Sequence, residues 1–329
     1  MKKHILLISL LIFVFAASYA QGEDTSDTSG SFYLKAGIGA GAQFGVLTEK
    51  LYEELSSQDL YTKSWLTWET LPLTFCTIDF YTGYNFISKQ AINLNTFFTF
   101  GIPAETGLME DYDAMLYDGY ITDYSQHENY TDSFFSAGFY ADYTFIYGFG
   151  VGIGFEYEKY KFRGHNGYGQ HNTINGVTLD YWNPDMPHTD EYEGYTVITY
   201  DITSFYWKLG LVLRHNFTQN LYMTLDAWIY LYRYNNALDK HWRFIPNIPN
   251  TYWTDKVETW NSGYEIHTTL QYSLSQNLIL SLKLLGEYLP DAYGPDYSGA
   301  PPNCTLNDGY KGGFGAWAVS ATISAILQL

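Results

Sequence analysis

From Phe32 onward hydrophobic and polar positions recur with period two, and the later segments are regular enough to assign faces. Between Tyr264 and Leu274, the residues Tyr264, Ile266, Leu270, Tyr272 and Leu274 alternate with Glu265, His267, Thr269, Gln271 and Ser273. Leu278, Leu280, Leu282 and Leu284 alternate in the same way with Ser281, Lys283 and Glu287, and Trp317, Val319, Ile323 and Leu327 with Ser320, Thr322, Ser324 and Gln328. A soluble sandwich also alternates, but its strands are usually shorter and its apolar set faces a packed core. Strands of 14 or more residues whose polar face carries Glu, Lys and His fit a barrel with a wet interior and a lipid-facing exterior.

Ten such strands are predicted, at about 32–53, 61–86, 90–102, 131–147, 149–164, 202–217, 219–235, 259–275, 277–290 and 312–328. The fold class is therefore all-β: a ten-stranded antiparallel transmembrane β-barrel with long extracellular loops. Short connections fall at Ile87 to Lys89 and around Gly148, Thr218 and Gln276, as on a periplasmic side. Longer ones at 54–60, 103–130, 165–201, 236–258 and 291–311 are assigned to the exterior. Pro72 cannot donate to a ladder, so Glu69 to Pro72 is read as a bulge above the membrane.

Composition agrees with this reading. Aromatic residues make up 19% of the chain and charged residues 16%, the excess that aromatic girdles require. Residues 1–20 read as a signal peptide, with Lys2 and Lys3, an apolar run from Ile5 to Ala17 and small residues before the cut, leaving 21–329 as a single barrel domain. No later apolar stretch is long enough for a transmembrane helix. Removing residues 1–20, which hold two lysines and no acid, leaves fifteen basic against thirty-five acidic residues, a formal net charge of −20. That balance argues against nucleic acid and for cationic partners. Cys76, on the lipid side, and Cys304, in a late loop, are expected not to pair.

Two triplets carry the candidate chemistry. Asp111 and Asp113 lie in an acidic, aromatic-rich loop, and Asp239 and His241 lie far away in sequence. Extended backbone points residues i and i+2 to one side, so the members of each pair can touch. Asp239 would orient the His241 imidazole and stabilise its protonated form while the free ring nitrogen takes a proton from water. Two adjacent carboxylates push one pKa upward, so one of Asp111 and Asp113 can hold a proton and donate it in a hydrogen bond. The standard serine and zinc signatures are absent, and no metal site is predicted. Alone, an Asp-x-Asp in an exposed loop is most often solvated or a weak calcium ligand, and an Asp-x-His is no more specific.

Together these residues resemble the omptins, outer-membrane aspartyl-type endoproteases built as ten-stranded barrels with an extracellular active-site groove. Met109-x-Asp111-x-Asp113-x-Met115, Thr122-Asp123-x-Ser125-x-His127, Asp239-x-His241, Leu66-x-Trp68 and Glu49 in Thr48-Glu49-Lys50-Leu51-Tyr52 all look like family segments. The resemblance implies a water held between His241 and Asp111, with Asp113 as second carboxylate and Asp239 polarising the histidine. It implies that Glu49 receives the basic side chain before the scissile bond, and that Asp123 and His127 flank the substrate groove.

The chain departs from the family in three places. Ala237 stands where omptins that prefer basic residues have a second acid, so weaker selection for Arg or Lys is expected. The resemblance implies no cofactor, but it raises a requirement for outer-membrane lipid such as lipopolysaccharide, for which Lys159, Lys161 and Arg163 are the nearest basic cluster. The last residue is Leu329 rather than an aromatic. The functional expectation is an endopeptidase of the bacterial outer membrane, facing the exterior and cutting cationic peptides or proteins. The alternative from another class is a surface adhesin that keeps the barrel and binds without cleaving.

Overall fold

The computed structural model describes residues 30–329 apart from 57–58, 88–89, 117–119, 147, 175–176 and 243–248; the predicted signal segment lies outside the described residues. Strands dominate the chain, as the alternation requires: β1 Ser31–Ser56, β2 Asp59–Ile87, β3 Gln90–Gly101, β4 Ala104–Asp113, β5 Asp123–Ile146, β6 Phe149–His171, β7 Thr173–Ile174, β8 Val177–Thr178, β9 Asp190–Glu191, β10 Thr196–Asn216, β11 Leu221–His241, β12 Thr251–Trp260, β13 Tyr264–Ser273, β14 Leu278–Ser298 and β15 Thr305–Gln328. The long strands pair antiparallel around a ring that closes where β1 meets β15, with Lys35 opposite Gln328 and Glu53 opposite Tyr310. Closure removes the free edges that an open sheet would expose.

More segments form than the ten expected, because two lines of the wall are interrupted. β3 and β4 lie end to end between β2 and β5, and β12 and β13 lie end to end between β11 and β14. The first break falls at Ile102 and Pro103, beside a bulge in β2: Gln43 pairs with Leu73 but Gly45 with Thr70, which leaves Leu71 and Pro72 as the irregular part of that strand. Two neighbouring prolines lack ladder donors here. The second break uses Asn261 and Gly263, both at positive φ, and its amides are capped by carbonyls of Tyr230 and Leu231.

Side-chain exposure follows the alternation inside out. In β13, Tyr264 and Ile266 are exposed while Glu265 and His267 are buried, and in β15 Trp317, Val319 and Ile323 are exposed while Thr322 and Ser324 are buried. Exposed aliphatic and aromatic residues form a belt through β1 from Phe32 to Phe44, β6 at Val151 and Ile153, β10 from Trp207 to Leu211, and β13 to β15. A strand crosses a bilayer in about 9–11 residues, whereas β1 has 26 and β2 has 29. The other half of each long strand therefore stands above the belt. There the ladder continues through regions expected to be loops: 104–113, 123–130 and 236–241 are strand. Outward positions at that height carry Glu110, Tyr112, Glu128 and Lys240 instead of aliphatic residues, so the hydrophobic alternation fades while the pairing persists.

The interior is filled in layers. At belt level the buried Lys208 ammonium bonds Glu156 and Glu265 at 2.5 Å each and the Tyr140 hydroxyl at 3.2 Å, while Tyr230 donates to Glu265 and Glu287. A buried cation is tolerable only with this degree of pairing. Above it lies an apolar layer, where Trp68 stacks on Tyr200 at 5.5 Å and on Phe162 at 5.7 Å, with Met109, Phe134, Ile202 and Phe314 around them. This layer is the floor of the space where the candidate residues meet.

Candidate active site

Period two aims Asp111 and Asp113 of β4 into the lumen, beside Leu66 and Ser64 of β2 on one flank and Ser125 and Asp123 of β5 on the other. On β11 the inward row above Trp228 runs Tyr230, Arg233, Asn235, Ala237, Asp239 and His241, with a register shift opposite Trp207 and Lys208 that keeps the upper part in phase. Between β4 and β11 the wall passes through β5, β6 and β10, so the two triplets face each other across the opening. The Asp-x-Asp segment is thus strand rather than loop, a correction that fixes its carboxylates to the wall.

Asp239 and His241 touch as the i, i+2 argument requires, with Nε2 of the imidazole 2.7 Å from Asp239 Oδ2. Asp239 is nearly fully buried, the His241 side chain remains 23% exposed, and the edge of Trp253 packs against the ring at 4.8 Å. Burial opposes the imidazolium, but Asp239, followed by Asp111 and Asp113, holds the His241 pKa above its ordinary value. On the opposite wall, burial and then the Asp113 charge push the Asp111 carboxyl well above the usual carboxylate range; His241 and the Ser64 hydroxyl at 3.4 Å act against the rise. Burial likewise raises Asp113. From the facing wall His241 acts electrostatically on both aspartates, lowering each.

Glu49 of β1 faces the same chamber, 6% exposed, and burial together with Asp239, Asp255 and Asp111 raises its pKa well above normal. Asp123 and His127 line the wall next to Asp113 and Met109, yet both are fully engaged within the protein. Asp123 accepts from Thr122 at 2.7 Å and from the Thr173 amide and hydroxyl at 3.0 and 2.8 Å. Against the cost of burial, His171 and these donors hold it down to about 2. His127 bonds the Asn166 carbonyl at 2.6 Å and Ser125 Oγ at 3.0 Å, and burial lowers it to about 4, so it is neutral. Both shape the wall behind Asp111 and Asp113. On the outer surface Lys159 and Lys161 are exposed, while Arg163 grips Asp132 through Nε and Nη2.

Two lumen-facing carboxylates escaped the reading of the sequence. Asp255 of β12 stands opposite Ala237, and Asp296 of β14 stands opposite Asp255. Both are buried, 5% and 0% exposed. The available signal was the alternation of Trp253, Asp255 and Val257 with Thr254 and Lys256, hidden within a segment taken as loop. Cys76 and Cys304 are both free thiols.

No protein-family model matches the sequence, and no curated protein matches it. Solved structures do. The outer-membrane protease OmpT from Escherichia coli aligns over 93% of this chain and 99% of its own, with a TM-score of 0.68. This chain shares the barrel fold of that structure. Identity is 14%, so the likeness is one of fold. The β-domain of the Bordetella autotransporter BrkA and the Ralstonia pickettii toluene transporter TbuX also align, at 9% and 8% identity over 87% and 92% of this chain and 98% and 90% of their own. Their TM-scores are only 0.31 and 0.28.

Proposed function

We propose that this protein is an endopeptidase of the bacterial outer membrane, a wall of ten staves if each end-to-end pair is counted once, with its site open to the exterior. The observation that carries the proposal is the Asp239–His241 contact at 2.7 Å in a chamber shared with Asp111 and Asp113. With Nε2 committed to Asp239, Nδ1 is the nitrogen left to accept a proton from water. The water oxygen then bonds to the scissile carbonyl carbon, and the imidazolium is balanced by Asp239. The raised pKa of Asp111 keeps a proton on the carboxylate pair above the usual range, available to the developing oxyanion. Collapse breaks the C–N bond and returns the His241 proton to the leaving amine, so the residues end as they began.

Substrate choice follows from charge. Residues 102–131 hold seven carboxylates and residues 164–201 six, with no Lys or Arg in either stretch. Such a rim concentrates cationic peptides. The test is cleavage of a quenched fluorescent peptide library containing arginine by refolded mature chain, compared with His241→Ala and Asp111→Asn. Loss of turnover in both folded variants supports water-mediated proteolysis. A wild-type chain that cleaves nothing, with or without added outer-membrane lipid, removes the peptidase reading and leaves the adhesin.

A further inference from the structure

One side of the barrel mouth is finished by a short strap. Above the point where Thr196 of β10 pairs with His165 of β6, the two-residue strand β9 takes over that edge of β6, with Glu191 opposite Tyr168 and Asp190 opposite Gly169. The lower end of the strap is anchored by bonds that carry no charge. Asn166 accepts from the Gly194 amide at 2.8 Å, its own amide donates to the Tyr195 carbonyl at 3.0 Å, and the Tyr192 amide donates to the Gly167 carbonyl at 3.0 Å. The upper end straddles the wall. On the outer face His188 stacks flat on Tyr168 at 3.8 Å, and on the inner face Asp190 meets His171. Two ladder positions hold a strand poorly by themselves, so these side-chain contacts decide whether the upper end stays in place.

His171 sits between two carboxylates carried by different strands. Nδ1 lies 3.6 Å from Asp123 Oδ1 of β5, and Nε2 lies 3.6 Å from Asp190 Oδ2 of β9. The ring folds over Gly169, where a Cβ would collide with Nε2. A neutral imidazole has one N–H and one lone pair, so one of the two contacts would set a lone pair against a carboxylate; the imidazolium satisfies both. Among the described residues no Lys or Arg forms an ion pair with Asp123 or Asp190. The other titratable groups facing the ring are Asp113 of β4 and His127 of β5. The bond to Asp123, with the charges of Asp123, Asp190 and Asp113, holds the His171 pKa above its ordinary value against the cost of burial.

We infer that His171 is a pH-operated clasp: its imidazolium fastens β9 to β5 across the top of β6, and loss of its proton frees the upper strap and lowers the rim above β10. A raised folded pKa means that the fastening is complete below the ordinary value of 6.5 and is lost as pH rises through the folded value. Once the proton leaves, Asp123 and Asp190 face each other with no cation between them. Asp190, Glu191 and Glu193 of the strap are then repelled by the acidic wall. His171 is a positioning residue here, and the clasp stands whether or not the chamber cleaves peptides.

The experiment is hydrogen exchange of residues 188–195 in the refolded mature chain at about pH 6 and pH 9, with protection corrected for the intrinsic rate at each pH. Wild-type protection should fall about tenfold or more at the higher pH. His171→Asn should show low protection at both values, and His171→Lys, which keeps a cation there, should restore protection at pH 9. Asp190→Asn should lose most of the pH response, whereas His188→Gln, which removes the separate pair with Glu191, should keep it. A purely structural histidine would give a pH-independent loss that lysine does not repair. Equal wild-type protection at the two values, or a fall that persists in a folded His171→Asn or Asp190→Asn chain, overturns the clasp.

Discussion

Replacing Asp239 by Asn tests the dyad most directly. The native contact is a 2.7 Å charge-assisted hydrogen bond that a nearly buried carboxylate accepts from an imidazole that must carry positive charge as water attacks. Hydrogen bonds to charged groups contribute about 1.5–3 kcal/mol. Removing the charge should therefore lower kcat about ten- to 150-fold, since 1.36 kcal/mol is tenfold. The same loss moves the titration of His241. In the native chain Asp239 raises its pKa, so the active neutral imidazole accumulates only as pH rises through that raised value. The Asn variant should shift the rising limb of the kcat profile to lower pH, because the charge that raises the His241 pKa is gone. The assay is initial-rate cleavage of one quenched peptide from pH 5 to 9 for both chains. A rising limb that stays in place, with kcat within threefold of wild type, would refute the role given to the pair.

Three further outcomes are expected. Lys208→Met leaves Glu156 and Glu265 buried without their cation and should destabilise the barrel by about 3–5 kcal/mol, read from urea unfolding in lipid; an unchanged midpoint counts against the hub. Asp123, held at about 2 against an ordinary value near 3.9, contributes on the order of 2 kcal/mol that is present above the ordinary value and lost as pH falls through the folded one. Hydrogen exchange at the Thr173 amide, which donates to Asp123, should therefore quicken between about pH 4 and 2, and uniform exchange would contradict the tie. Raising ionic strength should slow cleavage of a basic peptide several-fold while sparing a neutral one, because the acidic rim acts through screened charge; equal effects on both remove the steering role.

The lower half of the barrel was legible because lipid imposes a rule on every outward position. Tyr264, Ile266, Leu280, Leu282, Val319 and Ile323 must be apolar there, and their polar neighbours then point inward. Above the belt the outward side faces water, and nothing obliges it to be greasy. β4, the end of β11 and β12 were accordingly taken for loops although their ladders are continuous. The dyad was still readable, since i and i+2 on extended backbone share a side whether the segment belongs to a sheet or not. Asp255 was not, because its place depends on lying opposite Ala237 and against Glu49, relations set by register between distant segments. Asp123 and His127 were visible as residues but not as bonded ones, for Thr173 and Asn166 reach them from another strand and its tip.

The layered interior has a consequence for traffic. With Trp68, Tyr200 and Phe162 packed beneath the chamber and Lys208 clamped below them, the molecule is a cup standing on a stopper. A chain that enters must leave by the same mouth, so a long polypeptide is engaged by draping a bend or an extended stretch over the rim, never by threading. On the peptidase reading, both fragments of a cut protein are then released on the side from which it came.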